Sequence, residues 1–216
     1  MSKMIRTTLR PALAIVLGAT AVACGGGQSG AAPRVVQPGA PGQDSKVVTT
    51  SAANPGMRHT EADARFMQGM IGHHAQALEM TALLRTRSTS EPMKLLALRI
   101  EVSQADEIKL MQQWLAARGL AVPDEHAHHL PGATLMPGML TTDEMKTLAA
   151  ASGAEFDRLF LESMIRHHEG ALAMVKQLFD SPGAGQDADI FAFASDVEAD
   201  QQMEINRMRL MLRGVR

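Results

Sequence analysis

The sequence predicts an all-α protein: a four-helix bundle built from two duplicated helical hairpins, with a short connector helix between them. Three observations predict it. Aromatic residues make up 3% of the 216 residues, with one Trp and no Tyr, whereas strands favour aromatic and β-branched side chains. From position 60 onward, apolar residues recur at three- and four-residue spacing, the period of an amphipathic helix. Finally, DARFMQGMIGHHAQALEM at 63–80 returns as DRLFLESMIRHHEGALAM at 157–174, 94 positions later. A repeated helix pair buries its apolar faces by packing copy against copy.

Residues 1–23 read as an export signal. Lys3, Arg6 and Arg10 precede an apolar stretch from Pro11 to Ala23, too short to cross a bilayer as a mature helix. The stretch ends in Ala21-Val22-Ala23-Cys24, which resembles the lipobox of bacterial lipoproteins, with Ala21 where leucine is usual; the same three residues also fit an ordinary Ala-x-Ala cleavage site. Cys24 is the only cysteine and stands where acylation would need it, so a palmitate-type lipid on Cys24 is expected to anchor an exported protein to the membrane of the cell envelope or periplasm. One cysteine excludes both an internal disulfide framework and a Cys-based zinc site. Residues 24–59 are rich in Gly, Pro, Ser and Thr with no apolar period, the composition of a flexible tether, the alternative being that part of it docks on the domain.

The folded domain spans 60–213, with repeat one at 60–118, a connector at 119–153 and repeat two at 154–213. Thr60 and Asp63 form a capping-box pattern that opens a helix over 61–87. Ser90, followed by Glu91 and Pro92, starts a second helix that Gly119 ends. The connector carries three prolines without a helical period until Thr141 and Glu144 repeat the capping box, opening a short helix stopped by Gly153. A helix over 154–179 follows, then the breaker Asp180-Ser181-Pro182-Gly183, then a last helix over 187–213. The second helices of the two halves also match, QADEIKLM at 104–111 against QQMEINRM at 201–208.

Polar residues fall on faces that should be buried. His73 and His74 flank the apolar stripe of the first helix, and Gln104 and Glu107 lie on that of the second. In an antiparallel hairpin, residues equally far from the turn share a height. His73 and the Gln104–Glu107 pair are about equally far from the turn near 89; His167 and His168 are matched in the same way with Gln201 and Glu204 about the turn near 184. With the copies aligned, four His, two Glu and two Gln approach one layer, with Met70 and Met164 close in register. A buried carboxylate is costly unless it is paired or bound to metal. Two readings follow. In one, His73, His74, His167, His168, Met70, Met164, Glu107 and Glu204 bind a metal, and Gln104 and Gln201 orient the ligands; imidazole and thioether suit copper, Cu(I) above all, with zinc or iron as alternatives. In the other, each His bonds to a Glu or Gln and the network only specifies packing. His126, His128, His129, Met136 and Met139 in the connector form a second candidate, a surface metal site. Asp63 and Asp157 are expected to cap helices. No catalytic residue stands out, and a net charge of −2 leaves no basic footprint for nucleic acid.

The paired Met-Ile-x-His-His segments, the Gln-x-x-Glu-Ile elements after them and the Met136-Pro137-Gly138-Met139 run between them resemble the domain-of-unknown-function 305 family over about residues 60–213. The resemblance implies a ferritin-like four-helix bundle, export that is often lipid-anchored, and, for some members, periplasmic copper binding linked to copper tolerance. It points to an exported, lipid-anchored metal-binding protein acting in sequestration or handover to a protein partner. The alternatives are a metal-dependent oxidase and a structural envelope module. Di-iron bundles use Glu-x-x-His ligands; the Gln-x-x-Glu and His-His pattern here is poorer in oxygen and disfavours oxidase chemistry.

Overall fold

In the computed structural model, the described residues are 35–37, 39, 41–48, 59–130 and 132–214. The segment expected to be an export signal, Cys24 and most of the expected tether lie outside them. Five α-helices dominate: α1 (Glu61–Arg87), α2 (Glu91–Ala117), α3 (Thr142–Ala150), α4 (Gly153–Asp180) and α5 (Ala188–Leu212). None is long and apolar enough to cross a membrane.

The helix starts follow from local chemistry. The Thr60 hydroxyl accepts from the Asp63 N–H while the Asp63 carboxylate accepts from the Thr60 N–H, and Thr141 and Glu144 repeat the arrangement at α3. Asp187 caps α5 through the N–H groups of Asp189 and Ile190. Asp157 departs from expectation: α4 begins at Gly153, which places this residue past the first turn. It is buried, one carboxylate oxygen finds no hydrogen-bond partner, and among the described residues it caps no helix.

α1 packs on α2, α4 on α5, and α1 on α4. The apolar core is divided into two clusters. One joins the first half of α1 (Phe66 to Ala75), the end of α2 (Ile108 to Leu115), the end of α4 (Ala171 to Phe179) and the start of α5 (Ile190 to Val197). The other joins the second half of α1 (Ala77 to Leu84), the start of α2 (Met93 to Ile100), the start of α4 (Phe156 to Met164) and the end of α5 (Ile205, Met208). The pairing of early α1 with late α4 makes the duplicated helices antiparallel, related by a pseudo-twofold axis that passes between the clusters.

The connector crosses the bundle as a strap at this midpoint. Gln76 on α1 holds it from one side, its amide oxygen accepting from the Leu140 N–H at 2.7 Å and its amide nitrogen donating to the Leu140 carbonyl at 2.9 Å. On α4 the equivalent position is Gly170, where a side-chain carbon would lie 1.9 Å from the Pro137 carbonyl oxygen. Gly138 is pressed as closely in return: its φ of 77° and the 2.4 Å between a hypothetical Cβ and the Arg166 carbonyl admit only glycine.

Within the segment expected to be a structureless tether, β1 (Val35–Gln37) and β2 (Lys46–Val48) pair as an antiparallel hairpin. Its anchor is Gln37. The buried Gln37 amide donates to the carbonyls of Phe179, Ser181 and Ala184 and accepts from the Gly183 N–H, satisfying the turn between α4 and α5. Lys46 adds a surface ion pair with Asp180. Over these residues the chain docks on the bundle, and a tertiary contact of one side chain, invisible to composition, is the reason.

Candidate metal centre

The layer between the two apolar clusters is polar. His73, His74, His167 and His168 are fully buried (0% exposed), Gln104, Gln201 and Glu204 nearly so, and Glu107 is half-buried. His73 and His167, equivalent in the duplication, meet at the pseudo-twofold with ring centroids 3.8 Å apart.

Three of the rings are oriented in the same manner. His74 Nε2–H donates to Glu107 Oε2 (2.5 Å), His168 Nε2–H to Glu204 Oε2 (2.7 Å) and His73 Nε2–H to the Pro137 carbonyl (3.0 Å). A proton fixed on Nε2 leaves Nδ1 with a lone pair, and none of these three Nδ1 atoms has a hydrogen-bond partner. Neither nitrogen of His167 has one, nor does either end of the Gln104 amide or Gln201 Oε1. Buried polar atoms are normally satisfied, so this layer holds an unusual concentration of free nitrogen lone pairs. Burial, with the neighbouring His74 ring, pushes His73 down to about 3; burial and the His73 ring hold His167 well below the ordinary range, and burial lowers His168 as well. These rings are therefore neutral near pH 7, the state in which imidazole binds metal. Burial works against the Glu107 charge, but the bonds from His74 and from the Ser103 hydroxyl (3.0 Å) hold its carboxyl below the usual range.

The two halves differ in what lies behind their glutamates. Arg99 reaches across from α2 to Glu204, with Nε 3.5 Å from Oε1, and also approaches Asp200 at 3.8 Å. The α5 position equivalent to Arg99 is Asp196. Glu107 accordingly faces a groove of about 300 Å³ lined by Asp196, Asp200, Leu110, Phe193, Val197 and Ala199. One glutamate is closed off by a cation; the other opens on an acidic groove.

Met70 and Met164 are fully buried, one turn from the paired histidines in sequence. Met70 belongs to one apolar cluster and Met164 to the other. The antiparallel copies thus put the two thioethers on opposite sides of the layer.

The connector histidines assemble differently from expectation. His126 Nδ1, His128 Nε2 and His129 Nε2 lie 3.0, 3.5 and 2.8 Å from one oxygen, Glu79 Oε1. Glu79 comes from α1, from a position that reads in sequence as ordinary helix surface. Met136 and Met139 are not part of this cluster. Met136 lines a groove with Phe66, Gly69 and Met174, while Met139 is buried with its sulfur accepting from the Met136 N–H; neither lines the pocket walled by His128 and His129. Among the described residues, Glu79, His128 and His129 are the one group of three His or acidic side chains whose ligand atoms all lie within 4.8 Å of one another. The buried histidines share a layer without meeting that criterion as a set.

Residues 63–212 match the family described as a domain of unknown function (DUF305). The chain belongs to the DUF305 family. Among solved structures, a DUF305 fragment from Deinococcus radiodurans is 31% identical, over 71% of this chain and 97% of that one, with a TM-score of 0.61. A DUF305 protein from Streptomyces coelicolor, named as a candidate secreted protein, is 30% identical over 71% and 93%, with a TM-score of 0.62. CopM in its Cu(I)-bound form is 26% identical over 70% and 96%, with a TM-score of 0.56, and the same protein is similar in its Cu(II)-bound and Ag-bound forms. No curated protein matches the sequence. The DUF305 domain thus accounts for all five helices, the strap and the His-bearing layer.

Proposed function

We propose that this DUF305 protein binds copper in its buried layer and serves in copper sequestration or handover outside the cytoplasm. The observation that carries the reading is the set of neutral, buried imidazoles with unpartnered nitrogens around the His73–His167 contact. The four rings and both thioethers are fully buried, and a soft ion is what imidazole nitrogens together with thioether sulfur hold best. His73 and His167 are the primary ligands, with His74 and His168 beside them. Glu107 and Glu204 hold the rings of His74 and His168, Gln104 and Gln201 complete the polar layer, and Met70 and Met164 supply thioether sulfur from either side. Copper would stabilise the layer by coordinating buried nitrogens that otherwise have no partner. The copper- and silver-bound forms of CopM, a structural neighbour, support this choice of ion. Export through residues 1–23 and lipid attachment at Cys24 belong to the same reading; an acylated Cys24 as the mature N-terminus, detected by mass spectrometry, tests them.

The deciding experiment is a Cu(I) titration of the full chain against its His73→Ala/His167→Ala variant. Stoichiometric binding tighter than micromolar, lost in the variant, supports the reading. Unchanged affinity in the variant, or none in the parent, overturns it. A second reading, a layer that specifies packing only, is favoured by the two satisfied His–Glu pairs. It requires the melting temperature to be the same with and without copper, since a ligand bound only by the folded state must raise it.

A further inference from the structure

We propose that Glu79, His128 and His129, with His126 at the rim, form a second metal site, for a divalent borderline cation, Cu(II) ahead of Zn(II), distinct from the buried imidazoles. Three ring nitrogens from the four-residue stretch His126–His129 converge on one carboxylate oxygen contributed by a helix some fifty residues earlier; His126 Nδ1–H and His129 Nε2–H donate to it, and a bound cation takes the place of those protons. The stretch is built to present them. Asp124 accepts from the His126 N–H at 2.8 Å, residues Ala127–His129 form a 3-10 turn, and Gln112 of α2 ties down Glu125 at 2.8 Å.

The decisive detail is the tautomer of His128. Its Nδ1–H donates to the Glu125 carbonyl at 3.1 Å, so Nε2 carries the lone pair; it lies 3.5 Å from Glu79 Oε1 and has no hydrogen-bond partner. A ring nitrogen bearing a lone pair and a carboxylate oxygen thus lie close together, with the His128 side chain only 5% exposed. Two acceptors so placed repel; a cation between them turns the repulsion into two bonds. A ring whose second nitrogen donates to a backbone carbonyl is also how metal-binding histidines are usually held.

The donor chemistry separates this site from the buried one. Imidazole and carboxylate without thioether suit Zn(II) and Cu(II), and Cu(II) binds such sets more tightly. His126 and His129 are about half exposed or more, so an ion arrives from solvent without opening the bundle. The site also lies beside the buried layer: a side chain at Gly72, the residue before His73, would meet the His128 ring at 3.9 Å.

The test is Cu(II) titration of the full chain followed by electron paramagnetic resonance, with Zn(II) as competitor. The parent should take one Cu(II) equivalent with nitrogen couplings, displaced by excess Zn(II). His128→Ala/His129→Ala should weaken it at least 100-fold, and Glu79→Gln at least 10-fold, with Cu(I) uptake by the buried histidines within 3-fold of the parent. His73→Ala/His167→Ala should leave the Cu(II) signal intact. Cu(II) affinity within 3-fold of the parent in His128→Ala/His129→Ala overturns the proposal, as does loss of the signal in His73→Ala/His167→Ala. Loss of Cu(I) binding alone bears on the buried site only, so the two assignments fail separately.

Discussion

Gln76 and Gly170 occupy equivalent positions of the duplicated helices and serve the same strap by opposite means. Gln76 grips Leu140 with both ends of its amide, while Gly170 removes its own side chain so that Pro137 can lie against the helix. The contact matters for the site because the Pro137 carbonyl is what orients His73.

Gly170→Ala should therefore destabilise the protein by about 1–3 kcal/mol, the cost of forcing a methyl into a filled space. Gly72→Ala is the control. Nothing lies nearer than 3.9 Å to the added carbon, and removing glycine from a helix interior should stabilise by about 0.5–1 kcal/mol. Denaturant unfolding of both variants checks the opposed signs.

Stability of the metal-free chain should fall as pH drops below neutrality. His73 binds its proton near 6.5 when unfolded and at about 3 when folded. Between those values the unfolded state carries the extra proton, so acid favours unfolding. The contribution is fully present above 6.5, and His73 alone removes up to about 1.4 kcal/mol per pH unit on the way down. His167 and His168 are shifted in the same direction. Chemical unfolding at pH 7.5, 6 and 5 should give steadily lower stability, and replacing His73 by Leu should flatten the slope.

Asp196→Arg would place beside Glu107 the charge that Arg99 already places beside Glu204. Copper uptake by the buried layer should slow at least about 10-fold at low ionic strength, through loss of electrostatic steering. The difference should shrink as salt screens the groove, while equilibrium affinity stays within about 3-fold. Stopped-flow uptake at two salt concentrations measures both.

Gln37→Ala should free the β1–β2 hairpin. It removes the hydrogen bonds that satisfy the turn between α4 and α5, at a cost of about 1–3 kcal/mol for the buried partners left alone. Limited proteolysis should then cut within 35–48 well before the helices are attacked.

Much of this architecture was legible in the sequence because its signals are local. The helix starts at Glu61 and Thr142 follow from capping boxes at Thr60 and Thr141. The polar layer follows from equal distances to two hairpin turns, and its division of the core into two clusters bears the register out. What was illegible depends on contacts between distant segments. Glu79 has no mark of its own until a connector lacking any period is laid over it. The same holds for Gln37, whose three-residue strand would not stand without the turn it reaches. Met136 and Met139 were grouped with the connector histidines by proximity in sequence, whereas the strap turns them under toward the bundle.

The exchange of Arg99 for Asp196 across the pseudo-twofold has a consequence for traffic. A perfectly symmetric bundle would offer two equal entrances to its centre. Here one is bolted by a guanidinium and the other stands ajar. On the proposed copper-binding reading, a cation would meet carboxylates on the Glu107 flank and a guanidinium on the Glu204 flank, so the two halves of the duplication would not receive it alike.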